Sequence, residues 1–181
     1  MKYRSKNGFT LAELLIVVAI IAVLVAVSIP IFNGQLEKAR RAVDMQNARI
    51  IKSALTNAYN EGRMDIPKKA VGQENSGCGV WVVICRSTSE LPDAYTSDML
   101  NEKSIYCGAN SGVTVNGVKS NNWKSYNTGV EAVLKEAGLN CDTLKIKGRT
   151  DKEKGWDWIV FEAGFAKGQF YPLFYSGLKG E

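Results

Sequence analysis

From Leu14 to Phe32 no residue carries a charge. As a helix, these 19 residues reach about 30 Å, the thickness of a bilayer's hydrocarbon core. Such a segment has to face lipid or other helices. Lys2, Arg4 and Lys6 precede it with no acid among them, which places the N-terminus on the cytoplasmic side. These three supply most of the formal net charge of +5, and 20 basic residues then stand against 18 acidic ones. The basic balance belongs to the first residues, so composition does not support a nucleic-acid-binding face. A hydrophobic fraction of 45% with 23% charged residues is that of a globular chain rather than a disordered one.

Three readings of the N-terminus compete. It is a single-pass anchor, or a secretory signal cut after Ala26-Val27-Ser28, or something that explains one anomaly. Glu13 stands inside the apolar block. An acid at mid-membrane costs up to about 3 kcal/mol, so its presence needs a reason.

The stretch GFTLAELLIVVAIIAVLVAVSIP resembles the N-terminus of type IV prepilins and the related pseudopilins. The resemblance is strong over residues 5–32 and weakens towards residue 60. It implies a basic leader, residues 1–8, cut by a dedicated aspartic peptidase between Gly8 and Phe9. It implies methylation of the new N-terminus at Phe9 and a role for Glu13 in subunit assembly. Pro30 and Phe32 match a frequent proline and a frequent aromatic of the family. Ala22 stands where many members have glycine, and alanine favours helix by about 1 kcal/mol. Pro30 is expected to kink the helix by removing one backbone donor. The implied partners are other pilin subunits, the prepilin peptidase, an assembly platform with its ATPase, and membrane lipid before assembly.

The chemistry of the motif stands without the family. Cleavage at Gly8 removes three positive charges and frees an α-amine. Glycine before the cut leaves the backbone unhindered. Glu13 lies about 6 Å along the helix from the new terminus. In a bundle of identical helices its carboxylate is best neutralised by a neighbour's cationic amine, and removing one partner of such a buried pair costs about 3–5 kcal/mol.

Beyond Pro30 the pattern becomes amphipathic. Leu36, Ala39, Val43, Ile50, Ala54 and Ala58 recur at helical spacing, with Asn47 filling the stripe. Glu37, Lys38, Arg41, Asp44 and Lys52 are placed on the solvated side. Asn60 and Gly62 read as the stop, so one helix runs from about Thr10 to Asn60. Residues 9–32 form its membrane and assembly half, residues 33–62 its amphipathic half, and residues 63–181 a globular domain. The expected fold class is α+β, a pilin fold with the long helix packed on a small antiparallel sheet domain.

Within that domain, residues 78–85 contain a buried strand and Asn116-Gly117 marks a tight hairpin between Val113 and Val118. Thr128 to Gly138 reads as a helix capped by Thr128 with Val130, Val133 and Leu134 facing inward. Leu144 to Lys147 reads as a half-exposed strand. Residues 156–163 and 169–176 read as an antiparallel pair, with Pro172 arguing for an edge.

Cys78, Cys85, Cys107 and Cys141 are disulfide candidates, because an even number in an exported region favours bridges. A strand over 79–84 separates Cys78 from Cys85 by about 23 Å, too far to bond. Of the two remaining complete pairings, Cys85–Cys107 with Cys78–Cys141 is preferred for its shorter loop. With no histidine and no CxxC, no metal site and no cofactor is expected, and an acidic stretch from Thr150 to Asp157 matches no standard calcium loop. No catalytic constellation is present, so the chain is not expected to be an enzyme. The expected function is a structural pilus subunit, first in the cytoplasmic membrane and then in an extracellular fibre. The alternative is a pseudopilin of a secretion or DNA-uptake system.

Overall fold

A computed structural model of the chain describes residues 8–67, 78–87, 91–92, 94–100, 102–148, 156–166 and 169–177. Two units divide the chain, Met1–Ala39 and Arg40–Glu181. One helix, α1 (Leu11–Asn60), contributes to both. It continues through Ala22 and Pro30, although Pro30 cannot donate to the carbonyl four residues back. It ends in a Schellman motif: Gly62 takes a φ of 73°, its N–H donates to the Tyr59 carbonyl and the Arg63 N–H to that of Ala58.

In the second unit, β2 (Cys78–Cys85) is the inner strand around which the rest is arranged. It pairs antiparallel with β3 (Ile105–Ala109) on one side and with β6 (Trp158–Ala166) on the other. β7 (Gln169–Gly177) closes the order β3-β2-β6-β7 and carries Pro172 on the edge, as expected. A second small sheet has the order β1 (Met64–Asp65), β4 (Thr114–Val115), β5 (Val118–Lys119). Asn116 and Gly117 both adopt positive φ between β4 and β5, the geometry of a type I′ turn.

Both faces of β2 are covered. Val80, Val82 and Ile84 pack with Ile51, Ala54, Leu55 and Ala58 of α1 and with Val130, Val133 and Leu134 of α2 (Thr128–Glu136). Val83 and Cys85 pack on the other side with Met99, Leu100, Tyr106 and Trp158. The α+β arrangement is therefore the expected one, a long helix packed by its later turns on small antiparallel sheets.

Several local expectations change. The buried face of α1 runs through Asp44, Ala48, Ile51, Leu55 and Ala58, while Leu36 and Val43 stay exposed. Asp44, placed by its charge on the solvated side, is 2% exposed. Its two oxygens accept from the Lys147 and Gly148 N–H groups, both at 2.8 Å. The cap of α2 is Asn127, not Thr128: its side-chain oxygen accepts from the Gly129 and Val130 N–H groups. Leu144 to Lys147 alternates buried and exposed as a strand does, yet it forms no ladder among the described residues. The Ile146 N–H instead donates to the Cys85 carbonyl. Strand β3 had no signal because all five of its residues are buried, leaving no alternation to see. The acidic stretch weighed for calcium lies outside the described residues, apart from Trp156 and Asp157. Asp157 pairs with Arg86 at 3.0 Å, and the same guanidinium donates to the Gly148 and Trp156 carbonyls.

Replacing Asp44 with alanine leaves two N–H groups without an acceptor, and a lost charge-assisted hydrogen bond costs about 1.5–3 kcal/mol. Urea unfolding of the full chain in detergent is expected to show Asp44→Ala less stable by roughly 3 kcal/mol, with Lys52→Ala on the exposed side within about 0.5 kcal/mol of wild type.

Candidate functional site

The first unit presents the features that most need a function. Every large apolar side chain from Leu11 to Phe32 keeps at least 48% of its surface exposed. Burying one such side chain is worth about 1.5–3 kcal/mol, so covering the whole segment is worth tens of kcal/mol. The penalty for Glu13, about 3 kcal/mol at most, is small against that gain. Length and composition suit this helix to cross a membrane.

Gly8 and Phe9 precede the helix and are exposed. Phe9 is 84% exposed. A Cβ added at Gly8 meets no atom within 4 Å, so the fold of the chain itself does not require glycine there.

Glu13 is not unpartnered. Thr10 and Glu13 form a capping box: the Thr10 N–H donates to Glu13 Oε2 at 2.8 Å, and the Glu13 N–H donates to Thr10 Oγ1 at 3.2 Å. The Thr10 hydroxyl also donates to the same carboxylate oxygen at 2.7 Å. Two otherwise orphaned N–H groups at the helix start are thus satisfied, and the acid lies at the positive end of the helix dipole. Sequence reasoning that looked only for a distant partner missed this, although Thr-Leu-Ala-Glu carries the spacing. Further along, the Ser28 hydroxyl donates to the Leu24 carbonyl at 2.6 Å, so the polar side chain adds no unpaired donor.

In the second unit the cysteines sort by sheet face. Cys85 lies with Val83, Tyr106 and Trp158, and its thiol donates to the Ser104 carbonyl at 3.5 Å. Cys107 lies opposite Val82, on the other face, in the cluster that also holds Cys141. The preferred Cys85–Cys107 bridge is therefore ruled out by the alternation of strand side chains. Cys78 and Cys85 end the same eight-residue strand, which upholds the exclusion of a bond between them.

An open groove of about 480 Å³ is lined by Asn57, Arg63, Asn116 and Glu136 among others. Its only described cation, Arg63, is held between Glu61 at 2.8 Å and Glu136 at 2.6 Å, an arrangement that ties the end of α1 to α2.

Comparison with known proteins finds a match at the N-terminus. Residues 3–29 match the model of the prokaryotic N-terminal methylation motif. The chain thus carries the signature of type IV prepilins and pseudopilins, and the long apolar helix with its α+β domain is consistent with the pilin fold. No curated protein and no solved structure matches the chain. The motif implies processing by a prepilin peptidase and assembly with other pilin subunits.

Loss of an N-cap side chain costs about 1 kcal/mol. Thr10→Ala is therefore expected to lower amide-exchange protection in the first turn of α1 roughly fivefold in detergent micelles, with protection beyond Val17 unchanged.

Proposed function

We propose that this chain is a structural subunit of a type IV pilus. Cleavage between Gly8 and Phe9 removes the basic leader, and methylation follows on the Phe9 amine. The mature chain waits in the cytoplasmic membrane with a single pass and its C-terminal domain outside. Assembly machinery then withdraws it into a fibre, where the apolar helix exchanges lipid for the helices of neighbouring subunits. The domain forms the outer surface and serves adhesion, motility or aggregation. This role is structural and not enzymatic.

The observation that carries the reading is the methylation motif overlapping a helical segment, Leu11 to Phe32, whose large apolar side chains are all exposed. Loss of the leader fits the physics of extraction, because its three cations resist withdrawal through the low-dielectric core. The capping box gives Glu13 two states: bonded within its own first turn in the lone subunit, and paired with a neighbour's α-amine in the fibre. A pseudopilin of a type II secretion or competence system uses the same motif and is the second reading. Long surface filaments containing this chain on overexpression favour the pilus; short filaments needed only for export or transformation favour the pseudopilus.

N-terminal sequencing of the membrane or fibre fraction is expected to begin at Phe9; a start at Ile29 indicates ordinary signal-peptide cleavage and removes the proposal. Gly8→Val is expected to leave unprocessed precursor in the membrane with the domain folded, since the structure itself has room for the side chain.

Glu13→Ala is expected to be cleaved normally but to enter fibres poorly beside wild-type subunits. Loss of a buried pair worth about 3–5 kcal/mol corresponds to a reduction in incorporation of a hundredfold or more. Efficient incorporation would end the charge-pair mechanism while leaving the peptidase assignment intact.

A further inference from the structure

We infer that Cys107 and Cys141 form the disulfide of the exported domain, joining β3 to the loop that follows α2. Both are thiols here, both are fully buried, and they share one apolar cluster. The two thiols are near enough to interact with one another. This is a pairing that an even count of four cysteines disfavours, because it leaves Cys78 and Cys85 at opposite ends of one strand. The geometry overrides the count: one bridge forms, not two.

Each cysteine is brought to the site by rigid backbone. Cys107 is set opposite Val82 by the ladder between β2 and β3. Cys141 follows a second Schellman motif, in which Gly138 takes a φ of 87°, the Gly138 N–H donates to Lys135 and the Leu139 N–H to Leu134. One residue beyond Cys141, Asp142 pairs with Lys103 at 2.9 Å, and Lys103 also holds Glu131 of α2 at 2.6 Å. Lys103 lies two residues before β3. The ion pairs and the thiols therefore fasten the same two segments, α2 with its following loop on one side and the start of β3 on the other.

Oxidation joins the two sulfurs by thiol–disulfide exchange. The thiolate of one of the two cysteines attacks first. Its sulfur displaces one half of a disulfide supplied by a small-molecule or protein oxidant outside the cytoplasm. That half leaves as a thiolate and takes up a proton. The other cysteine then gives up its proton and attacks that sulfur, forming the internal bond and releasing the second half of the oxidant as a thiol. Two electrons pass from the cysteine pair to the oxidant's disulfide. Because both sulfurs are buried in the folded domain, oxidation precedes final docking of the loop, and the bond is afterwards shielded from reductants.

The inference rests on the proposed export of the C-terminal domain. One experiment separates the two. The chain is purified from the membrane or fibre fraction, alkylated without reduction and digested with trypsin. The N-terminal peptide reports whether the chain starts at Phe9. The disulfide is expected as a linked pair of the peptides spanning 104–119 and 136–145, which separates on reduction. Alkylated Cys107 and Cys141, or a link from either to another cysteine, in a chain that starts at Phe9 overturns the disulfide and leaves the pilin assignment standing.

Thermal unfolding gives the second readout. Closing a loop of this length is expected to raise Tm on the order of 10 °C. Reductant present during unfolding lowers Tm of the wild type by that amount and leaves Cys141→Ser unmoved. Equal Tm of the wild type with and without reductant overturns the inference.

Discussion

Nineteen consecutive uncharged residues within one exposed helix set the terms for everything else in this protein. Their apolar surface has no partner among the described residues. The hydrophobic gain from covering them exceeds any single polar contact in the chain by an order of magnitude. The same helix has to satisfy a second environment further on. Beyond Arg40 one side of it carries Ala48, Ile51, Leu55 and Ala58 into a protein core. Two solvents, hydrocarbon and protein interior, are thus written into successive stretches of one element.

The C-terminal domain is held by a central strand buried on both faces and by polar side chains that tie distant segments together. Asp44 ties α1 to the backbone at Lys147 and Gly148. Arg86 ties β2 to the chain at Gly148, Trp156 and Asp157. Lys103 joins Glu131 and Asp142. Glycine is demanded at two close approaches. A side chain at Gly129 would strike the Val115 carbonyl, and one at Gly108 would strike the Tyr106 ring. The Tyr106 hydroxyl in turn donates to the Trp123 carbonyl. These fastenings link segments far apart in the chain.

Local chemistry was legible where it is self-contained. Asn116-Gly117 specified its turn because positive φ is cheap only for such residues. Gly62 and Gly138 ended their helices for the same reason. The apolar periodicity of α2 was read correctly because Val130, Val133 and Leu134 are all buried. Errors arose where a residue's type and its environment disagree. Asp44 looked solvated because it is charged, yet two backbone donors over 100 residues away neutralise the cost of burying it. The Thr10–Glu13 box was hidden by the search for a remote partner for the acid.

By itself the sequence determined the methylation motif and the membrane-length helix, since hydropathy and a short motif act over a few neighbouring residues. It also determined that an antiparallel domain follows. Only the tertiary structure decided which face of each strand the cysteines occupy, which carboxylate is buried and which backbone it holds. Those outcomes depend on pairing register and on contacts between distant segments, and a shift of one residue along a strand reverses the face of every side chain.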